Sequence, residues 1–93
     1  MKRQNFDNVW DALSDSPEEA ASMTMRSNLL IAIEQRVRSW KITQAAAAQR
    51  LGVTQPRLND LLQGKIAKFS LDMLVDLAAK AGLSVQIRIA KAA

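Results

Sequence analysis

The chain has 93 residues and a net charge of +4, from 13 basic and 9 acidic side chains. It contains neither cysteine nor histidine, which excludes disulfides and removes the commonest zinc ligand and the commonest general base at neutral pH. No apolar run approaches the roughly 18 residues of a membrane span, and no signal-peptide pattern is seen. We expect one small domain, soluble and cytoplasmic, with no metal, cofactor or membrane partner.

Residues 1–15 form an acidic leader with one apolar stripe. Residues 1–19 carry two basic and five acidic side chains, a net charge of −3, whereas residues 20–93 carry eleven and four, a net charge of +7. Apolar residues fall at i, i+3, i+4 and i+7, the spacing of one helix face: Phe6, Val9, Trp10 and Leu13. A helix this short needs a surface to dock on, so the stripe predicts a partner-binding face. Packing on its own domain and a segment without function stay open.

Helix signals divide the next stretch. Ser16-Pro17-Glu18-Glu19 is a capping box with proline at the first helical position, which predicts a long first helix over about 17–40. Thr43 and Thr54 are N-cap residues of two short helices, and Gly52 and Gly64 end them. The third helix is expected to run to about residue 63.

The C-terminal part is predicted to hold a fourth helix and one strand. Ser70 caps the helix, Gly82 ends it, and the expected inward residues are Leu71, Leu74, Val75, Ala78 and Ala81. Residues 83–89 alternate apolar and polar side chains, which is typical of a strand. Antiparallel pairing with a second copy would bury its apolar face, which makes these the predicted dimer residues: Leu83, Val85, Ile87 and Ile89. A tail that covers the core is the alternative.

Residues 43–62 meet the demands of two short helices that cross steeply. Ala48 gives the small side chain needed at the crossing, Gly52 the turn, and Leu58 and Leu61 the apolar contacts of the second helix. This arrangement is typical of a DNA-binding helix-turn-helix. Residues 20–93, with their net charge of +7, would attract a polyanion, although a solvated basic surface explains the charge equally well.

The same stretch resembles the phage-repressor-like helix-turn-helix (XRE) family. The matching residues are Thr-Gln-x-x-x-Ala at 43–48, Leu-Gly-Val-Thr-Gln at 51–55 and Leu-Leu-x-Gly-Lys at 61–65. Phe69-Ser-Leu-Asp-x-Leu74, the ending at 82–87 and the acidic leader are similar to HigA-type antitoxins. The resemblance implies a mostly all-α, lambda-repressor-like bundle of four to five helices over 16–82, followed by a strand and tail over 83–93.

The third helix is predicted to enter the major groove by its N-terminal half. Amide side chains pair with adenine, arginine with guanine, and aspartate accepts from cytosine; Arg57 could equally hold a phosphate. Lys65 and Lys68, in the loop that follows, are expected to bind phosphates, with a solvated loop as the alternative. Gln44 lies where the matching glutamine of relatives meets a phosphate. The predicted DNA-binding residues are Gln44, Thr54, Gln55, Pro56, Arg57, Asn59, Asp60, Lys65 and Lys68.

The sequence therefore predicts a transcriptional repressor that binds an inverted-repeat operator as a homodimer. As a HigA-type antitoxin it would also neutralise a basic ribonuclease toxin through the leader. A stand-alone XRE-family regulator is the main alternative, and an interaction domain without DNA binding is another. Asp72 and Asp76 stand one helical turn apart, but without histidine, cysteine or a phosphate loop an enzyme is not expected.

Overall fold

The structure, a computed structural model, describes residues 16–91. Within that range the chain forms four α-helices and no strand. They are α1 (Pro17–Ser39), α2 (Gln44–Leu51), α3 (Gln55–Leu62) and α4 (Leu71–Lys80), with a 3₁₀ helix at Ile66–Lys68. The mostly helical fold predicted from the sequence is confirmed, and the helix ends fall within about a residue of those expected.

The four helices begin where their capping residues predict. In each case the N-cap hydroxyl oxygen accepts a hydrogen bond, 3.1 to 3.2 Å long, from the backbone N–H three residues later. The four caps are Ser16, Thr43, Thr54 and Ser70. Such a cap contributes about 1 kcal/mol, so these local signals help to define where each helix starts.

One apolar core holds the helices together. α1 packs against α4, the 3₁₀ helix and α3, and α2 packs against α3 and α4. Phe69, between the 3₁₀ helix and α4, is 1% exposed and lies in this core. The other large side chains that are fully buried come from all four helices: Ile33, Leu51, Leu58, Leu61 and Leu74. None of the helices described is both long and apolar enough to cross a lipid bilayer.

Two predictions on the C-terminal part need correction. Val75 was expected to face inward but is 38% exposed, and Leu77 is buried instead. The buried residues of this region, from Leu74 to Ala81, follow the i, i+3, i+4 and i+7 spacing of one helix face, which leaves Val75 outside it.

The predicted strand is the second correction, because the single chain forms none in this segment; pairing with a second copy stays a prediction. Residues 83–91 form neither helix nor strand, because a strand needs a backbone partner and the rest of the described chain is helical. Leu83 still packs against the core, and its N–H donates to the carbonyl of Ala78 at 2.9 Å. Beyond it the apolar side chains are increasingly open, from Val85 at 37% to Ile87 at 70% and Ile89 at 90% exposed. Only the start of this segment covers the core.

Candidate nucleic-acid interface

α2 and α3 form a tight bihelical unit around Gly52. This glycine ends α2 with φ 71° and ψ 31°, a left-handed conformation, and the N–H of Val53 donates to the carbonyl of Ala48 at 2.9 Å. Ala48 and Leu58, on the two helices, are 3% and 1% exposed. A small side chain at this position lets the helices approach closely, so the turn sets the angle at which α3 leaves the domain.

Four exposed residues form what is called here the outer face of α3: Gln55, Pro56 and Asn59 on the helix, and Gln63 at its C-cap. They lie opposite the buried Leu58 and Leu61 because of the 3.6-residue helical period. Gln55, Asn59 and Gln63 carry amides that can donate and accept together, and Pro56 offers an apolar surface. This is the chemistry that reads base edges in a major groove.

The start of α2 lies beside the outer face. Gln44, its first residue, is exposed, and its Nε2 donates to Oδ1 of Asn59 at 3.4 Å. The predicted phosphate-binding residue and a predicted base-reading residue are therefore neighbours, although 15 positions separate them in the sequence. A groove of about 540 Å³ runs between the end of α1, the start of α2 and α3, with Arg38 and Ile42 among its lining residues.

Arg57 and Asp60 occupy a different side of α3. Both are half-buried. Arg57 donates from NH1 to the carbonyl of Lys68 at 3.2 Å, and its Cζ lies 5.5 Å from the centre of the Phe69 ring. The carboxylate of Asp60 lies 3.5 Å from Nζ of Lys65 and 3.4 Å from Nζ of Lys68. DNA contacts by Arg57 and Asp60 stay predictions, and within the domain both side chains have protein partners.

Lys65 and Lys68 lie in the loop between α3 and α4. Their side chains are 48% and 56% exposed, and they flank the less exposed Asp60. The group of three keeps a net charge of +1, and both lysine side chains are about half exposed. Their phosphate contacts stay a prediction.

Thr54 is the N-cap residue of α3. Its hydroxyl oxygen accepts the N–H of Arg57 at 3.2 Å, which is the N-cap bond. The residue is exposed, so the hydroxyl proton can still be donated to a phosphate or a base.

Lys41 is a residue near the interface that was not predicted from the sequence. This residue joins α1 to α2 with φ 54°, the one positive φ among the non-glycine residues described. It is exposed and lies three positions before Gln44, so it adds a cation near the start of α2. A left-handed lysine carries no motif that sequence reading recognises, since asparagine and glycine are the usual occupants.

Two further groups of residues were predicted to bind partners. The leader residues Phe6, Val9, Trp10 and Leu13 lie outside the described residues. Val85 and Ile87 line a groove of about 450 Å³ against Met25, Leu29 and Ala32 of α1. Across residues 16–91, no group of three or more potential metal ligands comes together.

Comparison with known proteins agrees with this geometry. A family model described as a helix-turn-helix domain matches residues 12–90, a range that contains all four helices and most of the C-terminal segment. A search of curated proteins found no significant match. The match and the α2–α3 unit together indicate DNA-binding transcription regulation, and the chain belongs to the helix-turn-helix domain family.

Proposed function

We propose that this protein is a sequence-specific repressor of transcription that reads double-stranded DNA with the outer face of α3. The observation that carries the proposal is the placement of Gln44 against Asn59, with their side chains 3.4 Å apart. A helix in the major groove has a phosphate backbone on each side. A phosphate contact by Gln44 and a base contact by Asn59 would need these two residues to lie close together, and their separation supports the two roles.

The charge of the domain supports binding to a polyanion. The eleven basic side chains of residues 20–93 exceed the acidic ones by seven. Lys65 and Lys68 stand after α3, and Lys41 stands before α2. Each lysine that neutralises a phosphate releases a counterion, so affinity should fall as salt rises.

The test is the binding of the purified protein to labelled duplexes by fluorescence anisotropy. A fragment of its own promoter and a scrambled duplex of equal length are titrated at several salt concentrations. Tight promoter binding with a steep salt dependence is expected, at an affinity at least about 10³-fold above that of the scrambled duplex. Equal affinity for both duplexes, or binding insensitive to salt, would contradict a sequence-specific repressor.

The proposal includes a homodimer formed through the C-terminal segment. Val85, Ile87 and Ile89 expose apolar side chains in a segment that alternates apolar and polar residues and forms neither helix nor strand within the chain. Antiparallel pairing with a second copy would bury them and set two recognition helices about 34 Å apart, or a multiple of this, on an inverted repeat. A double Val85→Asp, Ile87→Asp variant should be monomeric by light scattering and bind the operator weakly, and a variant that stays dimeric would exclude this pairing.

We further propose that the repressor is an XRE-family antitoxin of the HigA type, with a basic ribonuclease toxin as its second partner. The support is the acidic charge of the leader, its apolar stripe from Phe6 to Leu13, and the resemblance at residues 69–74 and 82–87. A cationic surface that attracts RNA would also attract such a leader. Deletion of residues 1–15 should abolish toxin binding and leave operator binding intact.

A stand-alone regulator is the competing function, and it shares the DNA-binding part of the proposal. The two differ in whether a gene for a small basic protein adjoins this one and is toxic when expressed alone. In either case we propose no catalytic role. Asp76, one member of the acidic pair considered above, lies 3.2 Å from Nζ of Lys80 in an exposed ion pair.

A further inference from the structure

The loop between α3 and α4 is tied to the recognition helix at several points. The Asp60 carboxylate lies within 3.5 Å of the ammonium groups of Lys65 and Lys68. The backbone N–H of Lys65 donates to the carbonyl of Asp60 at 3.0 Å. Arg57 donates to the carbonyl of Lys68 at 3.2 Å. Each of the two lysines is therefore held to α3 by a backbone hydrogen bond as well as by its side-chain ion pair.

The far end of the loop is anchored in the core. Phe69 is 1% exposed, and the Arg57 guanidinium lies over its ring, 5.5 Å from the centre. Arg26, on α1, donates from NH1 to the carbonyl of Phe69 at 3.2 Å. The loop is thus held by contacts with α3 on one side and with α1 on the other. On the α3 side, Arg57 makes both the hydrogen bond to Lys68 and the contact with the Phe69 ring.

We propose that Arg57 and Asp60 are positioning residues which hold Lys65 and Lys68 in one register with the outer face of α3, so that phosphate contacts and base contacts form together. The inference rests on the proposed function and concerns the origin of its specificity. Phosphate contacts carry no sequence information themselves, but they fix where a reading helix sits on the duplex. If the loop were not held in place, its lysines would still attract DNA but would not fix where α3 sits on the duplex.

A role as a negative charge and a role in positioning predict opposite changes in operator affinity when the Asp60 carboxylate is removed. If this carboxylate acts only as a negative charge, its removal strengthens binding to every duplex, because repulsion of the phosphates is removed. If it positions the lysines, its removal weakens binding to the operator relative to other DNA. Asp60→Asn keeps the side-chain shape and separates the two effects.

The experiment compares variants of the full chain on two duplexes, the promoter fragment and its scrambled control, with a salt series for each. Asp60→Asn should lower the ratio of operator to scrambled affinity by about two- to fivefold, because the two ion pairs it removes have lysines that are about half exposed. Arg57→Lys keeps the charge but loses the planar donor group, and it should lower the ratio in the same direction. Asp60→Glu, which keeps a carboxylate, should recover most of the ratio.

Asp76→Asn is the matched control, because it removes one carboxylate from another exposed ion pair, that with Lys80 at 3.2 Å. It should change both affinities together and leave their ratio unchanged. Melting temperatures identify any variant that is only partly folded, and titrations are made where all are folded. Amide hydrogen exchange of residues 65–69 should accelerate in Asp60→Asn and Arg57→Lys without DNA.

The outcomes separate the inference from the proposed function. If the wild-type protein does not distinguish the two duplexes, the proposed function fails and this inference fails with it. If the wild type is specific but Asp60→Asn behaves like Asp76→Asn, the function stands and the positioning role is overturned. A lower ratio in Asp60→Asn that Asp60→Glu restores, together with faster exchange of residues 65–69 without DNA, supports the positioning role. A lower ratio with unchanged exchange would assign Asp60 to direct base contact and overturn the positioning role.

Discussion

Replacing Gly52 by alanine perturbs the turn that sets the angle between α2 and α3. The residue has φ 71° and ψ 31°, and holding an L residue there costs about 1–2 kcal/mol. Space is not limiting, since a Cβ would meet only Nζ of Lys80, at 3.7 Å, an ordinary contact. Alanine also restricts the unfolded chain, which offsets about 0.4–1 kcal/mol. The expected net loss in the free energy of unfolding is about 1 kcal/mol.

Thermal unfolding followed by circular dichroism measures this loss. In a domain of this size 1 kcal/mol corresponds to a fall in the melting temperature of about 4–8 °C. Gly52→Asn is the matched control and should lose less, because asparagine tolerates the left-handed region. An unchanged melting temperature for Gly52→Ala would refute the left-handed turn. A loss above about 3 kcal/mol would show that the site is crowded, against the distance given above.

Three further predictions concern stability and charge. Lys41→Gly should raise the free energy of unfolding by up to about 1 kcal/mol, measured as a higher midpoint in urea, because glycine adopts a φ of 54° without strain. A lower midpoint would contradict this. Leu74→Ala, at a fully buried position, should cost about 2–5 kcal/mol, whereas Val75→Ala should stay within about 1 kcal/mol, and equal losses would refute the packing of α4. Lys65→Gln should reduce the slope of log affinity against log salt by about 0.9 per protomer, which is about 1.8 for the dimer, and an unchanged slope would remove this lysine from the phosphate contacts.

Much of the fold could be predicted because its signals are local. A capping hydroxyl such as that of Thr54 acts on an N–H three residues away, and a glycine such as Gly52 acts through its own φ. The apolar spacing on α3 fixes which side is buried, so it also indicates the outer face with Gln55 and Asn59. These relations depend on a few consecutive residues and can be read from the chain.

The missed features depend on distant parts of the chain. No local signal indicates the role of Arg36, whose Nε donates to the carbonyl of Ala81 at 2.9 Å, 45 residues away. The partners of Arg57 and Asp60 in the following loop depend on how that loop returns to α3. Sequence alone describes them as exposed groups on a DNA-reading helix. Val75 was predicted to be buried where Leu77 is, because the inward face of α4 was assigned slightly off its true position around the helix.

Selection of binding sites from randomised duplexes tests the central claim most directly, when the wild type is compared with Asn59→Ala. Asn59 is exposed on the outer face of α3 and lies against Gln44. If α3 reads bases, the variant should select the wild-type inverted repeat but lose its preference at one position in each half-site. An identical selected sequence for both proteins, or no shared sequence among the duplexes that the wild type selects, would contradict base reading by α3.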